Sequence, residues 1–300
     1  MFLRITTLLA LSVASLLAAE NNLKWTALPD LPGGLGVAGP FVGVHNDALI
    51  IGGGANFPDG VPWRPTAGGG VSAKVYHDTI HVVTRDGDGY SIAEAKAKLP
   101  RTLGYGISVP TADGVLCIGG EWREGGVTHR SAKVFALGQA DGQVVIDENY
   151  PALPKGTTAA AGALVGNTVY VAGGDSGDGA TKNFWALDLA KRGAADFGWV
   201  TLPPWDGPAR THLLASVQHD GATDCLYIFS GRMKGGDGHW RMLGDAHKFN
   251  PNSGEWKKIH DILPSGDGQP RCVMAGTVAP IGANQLLVFG GANGKRFITL

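Results

Sequence analysis

Short apolar runs that end in glycine recur along the chain: Ile50-Ile51-Gly52-Gly53, Leu116-Cys117-Ile118-Gly119-Gly120, Val169-Tyr170-Val171-Ala172-Gly173-Gly174, Tyr227-Ile228-Phe229-Ser230-Gly231 and Leu287-Val288-Phe289-Gly290-Gly291. Runs of this length bounded by turn residues predict buried strands. Their return, from 54 residues apart (Gly119 to Gly173) to 67 apart (Gly52 to Gly119), marks one supersecondary unit repeated. Ahead of each run lies a strand of small residues, such as Gly36 to Gly43 or Ala159 to Val165, joined to it by a turn such as Asn46-Asp47 or Asp220-Gly221. Behind it come a variable loop, a third strand (Lys74 to Val83, Ala132 to Leu137, Asn183 to Leu189, Ala246 to Asn250) and a fourth. The fourth is centred on Trp25, Trp199 or Trp256, and Leu-Pro pairs close it.

Four strands per unit, with the glycine pair in the second and tryptophan in the fourth, resemble the kelch repeat of a β-propeller. The resemblance spans residues 23–300 and implies an all-β fold, a kelch-type β-propeller of about six blades when complete. By count the chain holds one opening fourth strand, four full repeats and half of a fifth. The expectation is therefore a truncated ring, or else a smaller one closed by pairing the first and last strands. The fold alone assigns no activity.

Composition agrees with many short strands and tight turns: 44% hydrophobic residues, 47 glycines and 17 prolines. A formal net charge of −1 gives no global field for nucleic acid or an anionic membrane, so partners must be read from local sites. Arg4, the apolar stretch Ile5 to Leu17 and Ala18-Ala19-Glu20 together predict a secretory signal over residues 1–19, with residues 20–300 as the propeller domain. Retention as a membrane anchor is the alternative. Signal removal predicts a periplasmic or secreted protein without stable membrane insertion. Cys117, Cys225 and Cys272 lie in or beside apolar runs and read as buried free thiols.

Candidate chemistry falls at two phases of the repeat. Eighteen to twenty residues before each glycine pair stand Gly34, Arg101, Lys155, Arg210 and Arg271, four cations in five. Pointed at one axial mouth, they would suit a carboxylate, which a guanidinium grips with two parallel hydrogen bonds. The plainer alternative is solvated loop charge. Just after the pairs come Asn56 with Phe57, Glu121 with Arg123, Asp175, Arg232 and Asn293. A carboxylate such as Glu121 in a partly enclosed mouth is a candidate for proton transfer, an ion-pair partner or a loop residue. Tyr105, Phe57 and Trp63 are candidates to stack on a sugar ring, or to plug loops. His239, Trp240 and Arg241 form a further cluster on a long connection. The histidines are scattered, and neither Cys-x-x-Cys nor His-Glu-x-x-His is present, so no metal site is expected.

Several stretches resemble a narrower family. Leu23-Lys24-Trp25, Gly36-Val37-Ala38-Gly39, Ile51 to Pro58, Lys74-Val75-Tyr76-His77-Asp78, Gly104-Tyr105-Gly106-Ile107-Ser108 and Ile118-Gly119-Gly120-Glu121 are similar to the N-acetylneuraminate epimerases, in the order of a cyclically permuted branch. Residues 23–137 carry most of this likeness. It implies a secreted, cofactor-free isomerase that interconverts the anomers of a small acidic sugar of the sialic acid class. A Gly-Glu…Arg segment is the family's suspected catalytic pair, and Glu121 with Arg130 has that shape. The two phases of the repeat and their aromatic neighbours supply the expected substrate-binding residues, Arg101, Arg210, Arg271, Lys155, Asn56, Phe57, Tyr105, Arg123, Arg232 and Asn293, and the arginines suit that substrate class. Chain order in a permuted member would place the main acid or base beyond residue 300. A carbohydrate-binding propeller without catalysis and a protein-interaction module are the competing functions, and the sequence leaves the oligomeric state open.

Overall fold

The computed structural model describes residues 25–262 and 271–294. The expected signal segment lies outside them. Four meandering four-stranded antiparallel sheets follow one another along the chain, and we number them as blades. Blade one is Phe41–His45, Ala48–Gly52, Thr79–Asp86 and Gly89–Lys98; blade two is Ile107–Thr111, Gly114–Ile118, Val134–Ala140 and Gln143–Asp147. Blade three is Ala161–Val165, Thr168–Ala172, Phe184–Asp188 and Val200–Thr201; blade four is Leu214–His219, Asp224–Phe229, Ala246–Asn250 and Glu255–Lys258. A fifth unit contributes the hairpin Thr277–Ile281 with Gln285–Phe289. A single 3-10 turn, Leu189–Lys191, is the helical content of the described residues.

The period-2 pleat sends alternate side chains to opposite faces, and blades two to four are buried on both sides, whereas in blade one Val42 and Val44 are exposed. From blade two, Val115, Cys117, Phe135 and Leu137 join Phe41, Ile50 and Ile80 of blade one. Their neighbours Leu116, Ile118, Val134 and Ala136 join Val169, Val171, Trp185 and Leu187 of blade three. The core is thus a series of seams between blades. That is why continuous apolar runs, rather than alternating ones, mark the second strands. Tryptophan pins the seams: Trp199 Nε1 donates to Pro151 O and Trp256 Nε1 to Pro203 O, each reaching the connection that closes the preceding blade. The expected opening strand at Trp25 is not formed. Trp25 lies in irregular backbone, edge-on to Phe289 of the fifth hairpin with ring centroids 5.6 Å apart.

The glycine pair has a specific task. Gly53, Gly119, Gly173 and Gly290 share φ near +65° (67°, 67°, 69° and 62°), and a Cβ on Gly119 would stand 2.6 Å from Thr157 O in the next blade. The second glycine donates across the seam, Gly54 N to Leu103 O, Gly120 N to Thr157 O and Gly174 N to Arg210 O, at 2.7 to 2.9 Å. In the first repeat the structural pair is therefore Gly53-Gly54, one residue later than the apolar run suggests. Ser230 takes the first-glycine position in blade four at φ 61°, and its Oγ accepts from Val273 N of the fifth unit at 2.8 Å. Cys117, Cys225 and Cys272 are buried and free, as the sequence suggests.

Candidate active site at the axial mouth

One residue per unit adopts left-handed backbone just before the inner strand: Gly39, Tyr105, Ala159, His212 and Ala275, with φ of 61°, 56°, 52°, 56° and 54°. Each donates its N–H to the carbonyl of its counterpart in the preceding blade: Tyr105 to Gly39 (2.7 Å), Ala159 to Tyr105 (2.9 Å), His212 to Ala159 (2.7 Å) and Ala275 to His212 (3.1 Å). These bonds draw an arc around the axis, and four non-glycine residues hold an uncommon conformation to make it. A cavity of about 560 Å³ opens on this arc, with Tyr105, Ala159, His212 and Ala275 in its lining.

The next ring outward comes from the residue after each glycine pair. Ala55, Glu121, Asp175, Arg232 and Ala292 each form an isolated bridge to the residue ahead of the arc: Ala38, Gly104, Thr158, Thr211 and Met274. Glu121, Asp175 and Arg232 all line the cavity, so the second phase found in the sequence is the one that faces the mouth. Two hairpins carry these residues outward, Glu121–Glu124 with Val127–Arg130 from blade two and Arg232–Lys234 with Trp240–Met242 from blade four.

Tyr76 donates its hydroxyl to Glu121 Oε1 at 2.5 Å, and Lys74 Nζ stands 3.9 Å from the same oxygen. Lys74 also lies 4.6 Å from the centroid of the Tyr105 ring. Burial, and then the hydrogen bond to Glu121, raise the pKa of Tyr76, so its phenol stays protonated. Arg130 and Glu121 are register partners in their hairpin, but the Arg130 guanidinium reaches Asp175 Oδ2 at 2.8 Å. Burial raises the pKa of Asp175. The N–H groups of Gly177 and Gly179 and the Arg130 guanidinium outweigh that and leave it below the ordinary value. His212 is pushed down to about 4, first by burial and then by Arg232 and Lys74, with Asp175 opposing, so its imidazole is neutral near pH 7. The Arg232 guanidinium lies 4.4 Å from the Trp240 ring, and burial lowers its pKa.

The first phase does not converge. None of its four cations lines the cavity. Arg101 is exposed and stacks on Trp122 at 3.9 Å, and Trp122 in turn stacks on His129. Lys155 is exposed and pairs with Asp178. Arg210 has no exposed side-chain surface; it donates to Ser230 O and Asp245 Oδ2 in blade four. It stands where Leu103 and Thr157 stand in the earlier blades, since the carbonyls of all three accept from a second glycine. Counting back from the glycines thus lands two residues off phase there. Arg271 is half-buried, and its N–H bonds Ile262 O. Asn56 Oδ1 is bonded by the His77 ring at a separate, smaller depression. Phe57 is half-buried, Asn293 is exposed, and Arg123 is exposed with its Nε on Gly126 O. Of the expected substrate-binding residues, Tyr105 and Arg232 therefore line the cavity, and of the expected catalytic pair only Glu121 does.

Lys74, His212, Lys234 and Trp240 also line the cavity. Aligning the repeats on their inner strands would have placed His212 beside Tyr105. Among the described residues, no group of three or more His, Cys, Asp or Glu side chains is gathered to hold a metal ion, and no helix is long and apolar enough to cross a membrane.

The fold defines a β-propeller. The solved structure of YjhT superposes with a TM-score of 0.69 at 16% identity, over 91% of this chain and 82% of that one, a likeness that concerns the fold alone. A family model for N-acetylneuraminate epimerase matches residues 150–300, and the chain belongs to that family. The match falls on blades three and four and the fifth unit, whereas the motifs read from the sequence lie in 23–137. Similar curated proteins are the N-acetylneuraminate epimerases of Haemophilus influenzae (31% identical over 146 residues, 49% of this chain and 34% of that protein) and Yersinia enterocolitica (35% over 119 residues, 36% and 29%). That of Brucella suis is 29% identical over 174 residues, 57% of this chain and 40% of its own length. The matched stretch spans about a third of the length of the first of these relatives.

Proposed function

We propose that the axial mouth binds a free acidic sugar of the N-acetylneuraminate class and interconverts its anomers. One observation carries this reading: a single cavity places the cations Lys74 and Arg232 together with the carboxylate of Glu121 and the neutral imidazole of His212. The cations suit the sugar carboxylate, with Arg232 held against Trp240, and the Tyr105 ring offers an apolar face to the pyranose. Ring opening needs the anomeric hydroxyl to lose a proton while the ring oxygen gains one. Glu121 takes the first, and the ammonium of Lys74 beside it supplies the second. Reclosure on the other face of the keto group returns both, so no proton is gained or lost overall. His212, uncharged among charges, donates or accepts a hydrogen bond without competing for the carboxylate. The family supports this reading, as its named members are N-acetylneuraminate epimerases. We also propose export of the chain, on the strength of its apolar leader.

The test is one-dimensional NMR of N-acetylneuraminate freshly released as one anomer. The full chain should accelerate equilibration, and Glu121→Gln should abolish the acceleration while the sugar still binds. Binding with an uncatalysed rate in the wild type would reduce the site to carbohydrate recognition.

A further inference from the structure

Two carboxylates face the mouth, and the repeat holds them in parallel ways with different chemistry. Tyr76 and Arg130 occupy the same position in successive blades. Each directly precedes the residue whose N–H bonds the carbonyl of the second glycine, His77 to Gly54 O (2.9 Å) and Ser131 to Gly120 O (2.8 Å). Each reaches across a seam to the residue after the next glycine pair, Tyr76 to Glu121 and Arg130 to Asp175. In blade three the position is Ala180, because Thr181 N bonds Gly174 O.

The two grips leave different reactivity. Asp175 is engaged on both oxygens, Oδ2 by the Arg130 guanidinium and Oδ1 by the N–H groups of Gly177 (2.7 Å) and Gly179 (3.3 Å). Multiple donors and a fixed positive charge favour a permanent anion, which is a poor proton acceptor. Glu121 takes one hydrogen bond from a neutral hydroxyl, on Oε1, with Lys74 at longer range on the same oxygen. Its Oε2 takes no hydrogen bond from the described residues. We propose that Tyr76 is the positioning residue that makes Glu121, and not Asp175, the proton acceptor of the mouth. This rests on the mutarotase reading of the site. Tyr76 is itself fixed: its ring is buried and meets the Tyr105 ring edge-on at 6.4 Å. The charged and titratable groups around Glu121 are Lys74 and Tyr76 from blade one, where Val75–Tyr76 pairs with Ala55–Asn56, Tyr105, Arg123 and Arg130 in its own hairpin, and Asp175, His212, Arg232 and Lys234 in the cavity lining.

Tyr76→Phe keeps the ring and removes the donor. In the full chain, kcat for anomer exchange should fall about tenfold with KM within twofold, as expected when general-base catalysis loses its alignment. Glu121→Asp, which withdraws the carboxylate by one methylene, should give a similar loss, and adding Tyr76→Phe to it should cost nothing more. A second readout needs no turnover: the carboxyl 13C resonance of Glu121, assigned by its disappearance in Glu121→Gln, should shift in Tyr76→Phe and stay in place in Arg130→Gln. An unchanged kcat and resonance in Tyr76→Phe, or losses that add in the double variant, would overturn the proposal. If the wild type accelerates nothing, the mutarotase reading falls, and the Glu121 resonance alone still decides whether Tyr76 holds it.

Discussion

The Arg210 guanidinium meets the Asp245 carboxylate of blade four at 2.5 Å, with the Arg210 side chain wholly out of solvent and His247 Nε2 2.8 Å from the same carboxylate oxygen, while the Arg210 N–H donates to Thr181 O and its carbonyl accepts from Gly174 N of blade three. A ligand entering the axial mouth does not reach this pair, so its role is to join blades. Removing one partner of a buried pair strands the other charge and typically costs about 3 to 5 kcal/mol. Arg210→Ala should lower stability by that order in urea unfolding, while the surviving folded protein binds sugar as the wild type does. Undiminished stability would mean that the seam does not depend on the pair.

Ser230 offers a second test of the blade junctions. It pays for left-handed backbone with a hydrogen bond, since its Oγ accepts from Val273 N where other blades use glycine. Ser230→Ala keeps the strained φ and leaves the half-buried Val273 N–H without its partner, at a cost of about 1 kcal/mol. Ser230→Gly also removes the partner but relieves the backbone, so it should cost less than Ser230→Ala. The reverse order in thermal melts would show that the left-handed backbone carries little strain at this position.

The sequence made the repeat legible because the inner blades bury both faces, and continuous apolar strands closed by glycine stand out against polar loops. The third strand of blade four matches Ala246 to Asn250 residue for residue. Lys74 to Val83, by contrast, reads as one strand but divides, since Val75–Tyr76 pairs with Ala55–Asn56 and only Thr79–Asp86 joins the sheet. The mouth was half legible. Glu121 and Arg232 follow glycine pairs whose phase is fixed by left-handed backbone, and that phase survives loop variation. The cations ahead of the inner strands sit in connections of unequal length, and there a shift of two residues took Arg210 from the rim into a seam. His212 was invisible for a related reason: the arc is defined by backbone conformation and inter-blade hydrogen bonds, while its side chains, glycine, tyrosine, alanine and histidine, share no chemistry.

His212 should leave a mark on stability against pH. Its folded pKa of about 4 lies below the ordinary 6.5, so the unfolded chain binds the proton first as pH falls. The stability it allows is complete above about 6.5, declines through the interval and is lost by about 4. His212→Asn tolerates left-handed backbone and removes this titration. The melting temperature of the variant should therefore fall less steeply than that of the wild type between those limits. Parallel curves would place His212 in a more solvated setting.

Lys74 unites Glu121 and Tyr105, and its loss should be felt in binding and rate together. Charge-assisted hydrogen bonds are worth about 1.5 to 3 kcal/mol, so Lys74→Met should weaken N-acetylneuraminate binding roughly ten- to a hundredfold. Titration calorimetry reads this directly, and affinity within twofold of the wild type would remove Lys74 from the carboxylate site.

The measurement that bears most directly on the location of the site is a calorimetric comparison of Arg232→Met with Arg101→Met, both titrated with N-acetylneuraminate. Arg232 lines the cavity behind its glycine, whereas Arg101 stacks on Trp122 outside it. The expected result is at least tenfold weaker binding in Arg232→Met and wild-type affinity in Arg101→Met. Retained affinity in the first with loss in the second would move the binding site off the mouth described above.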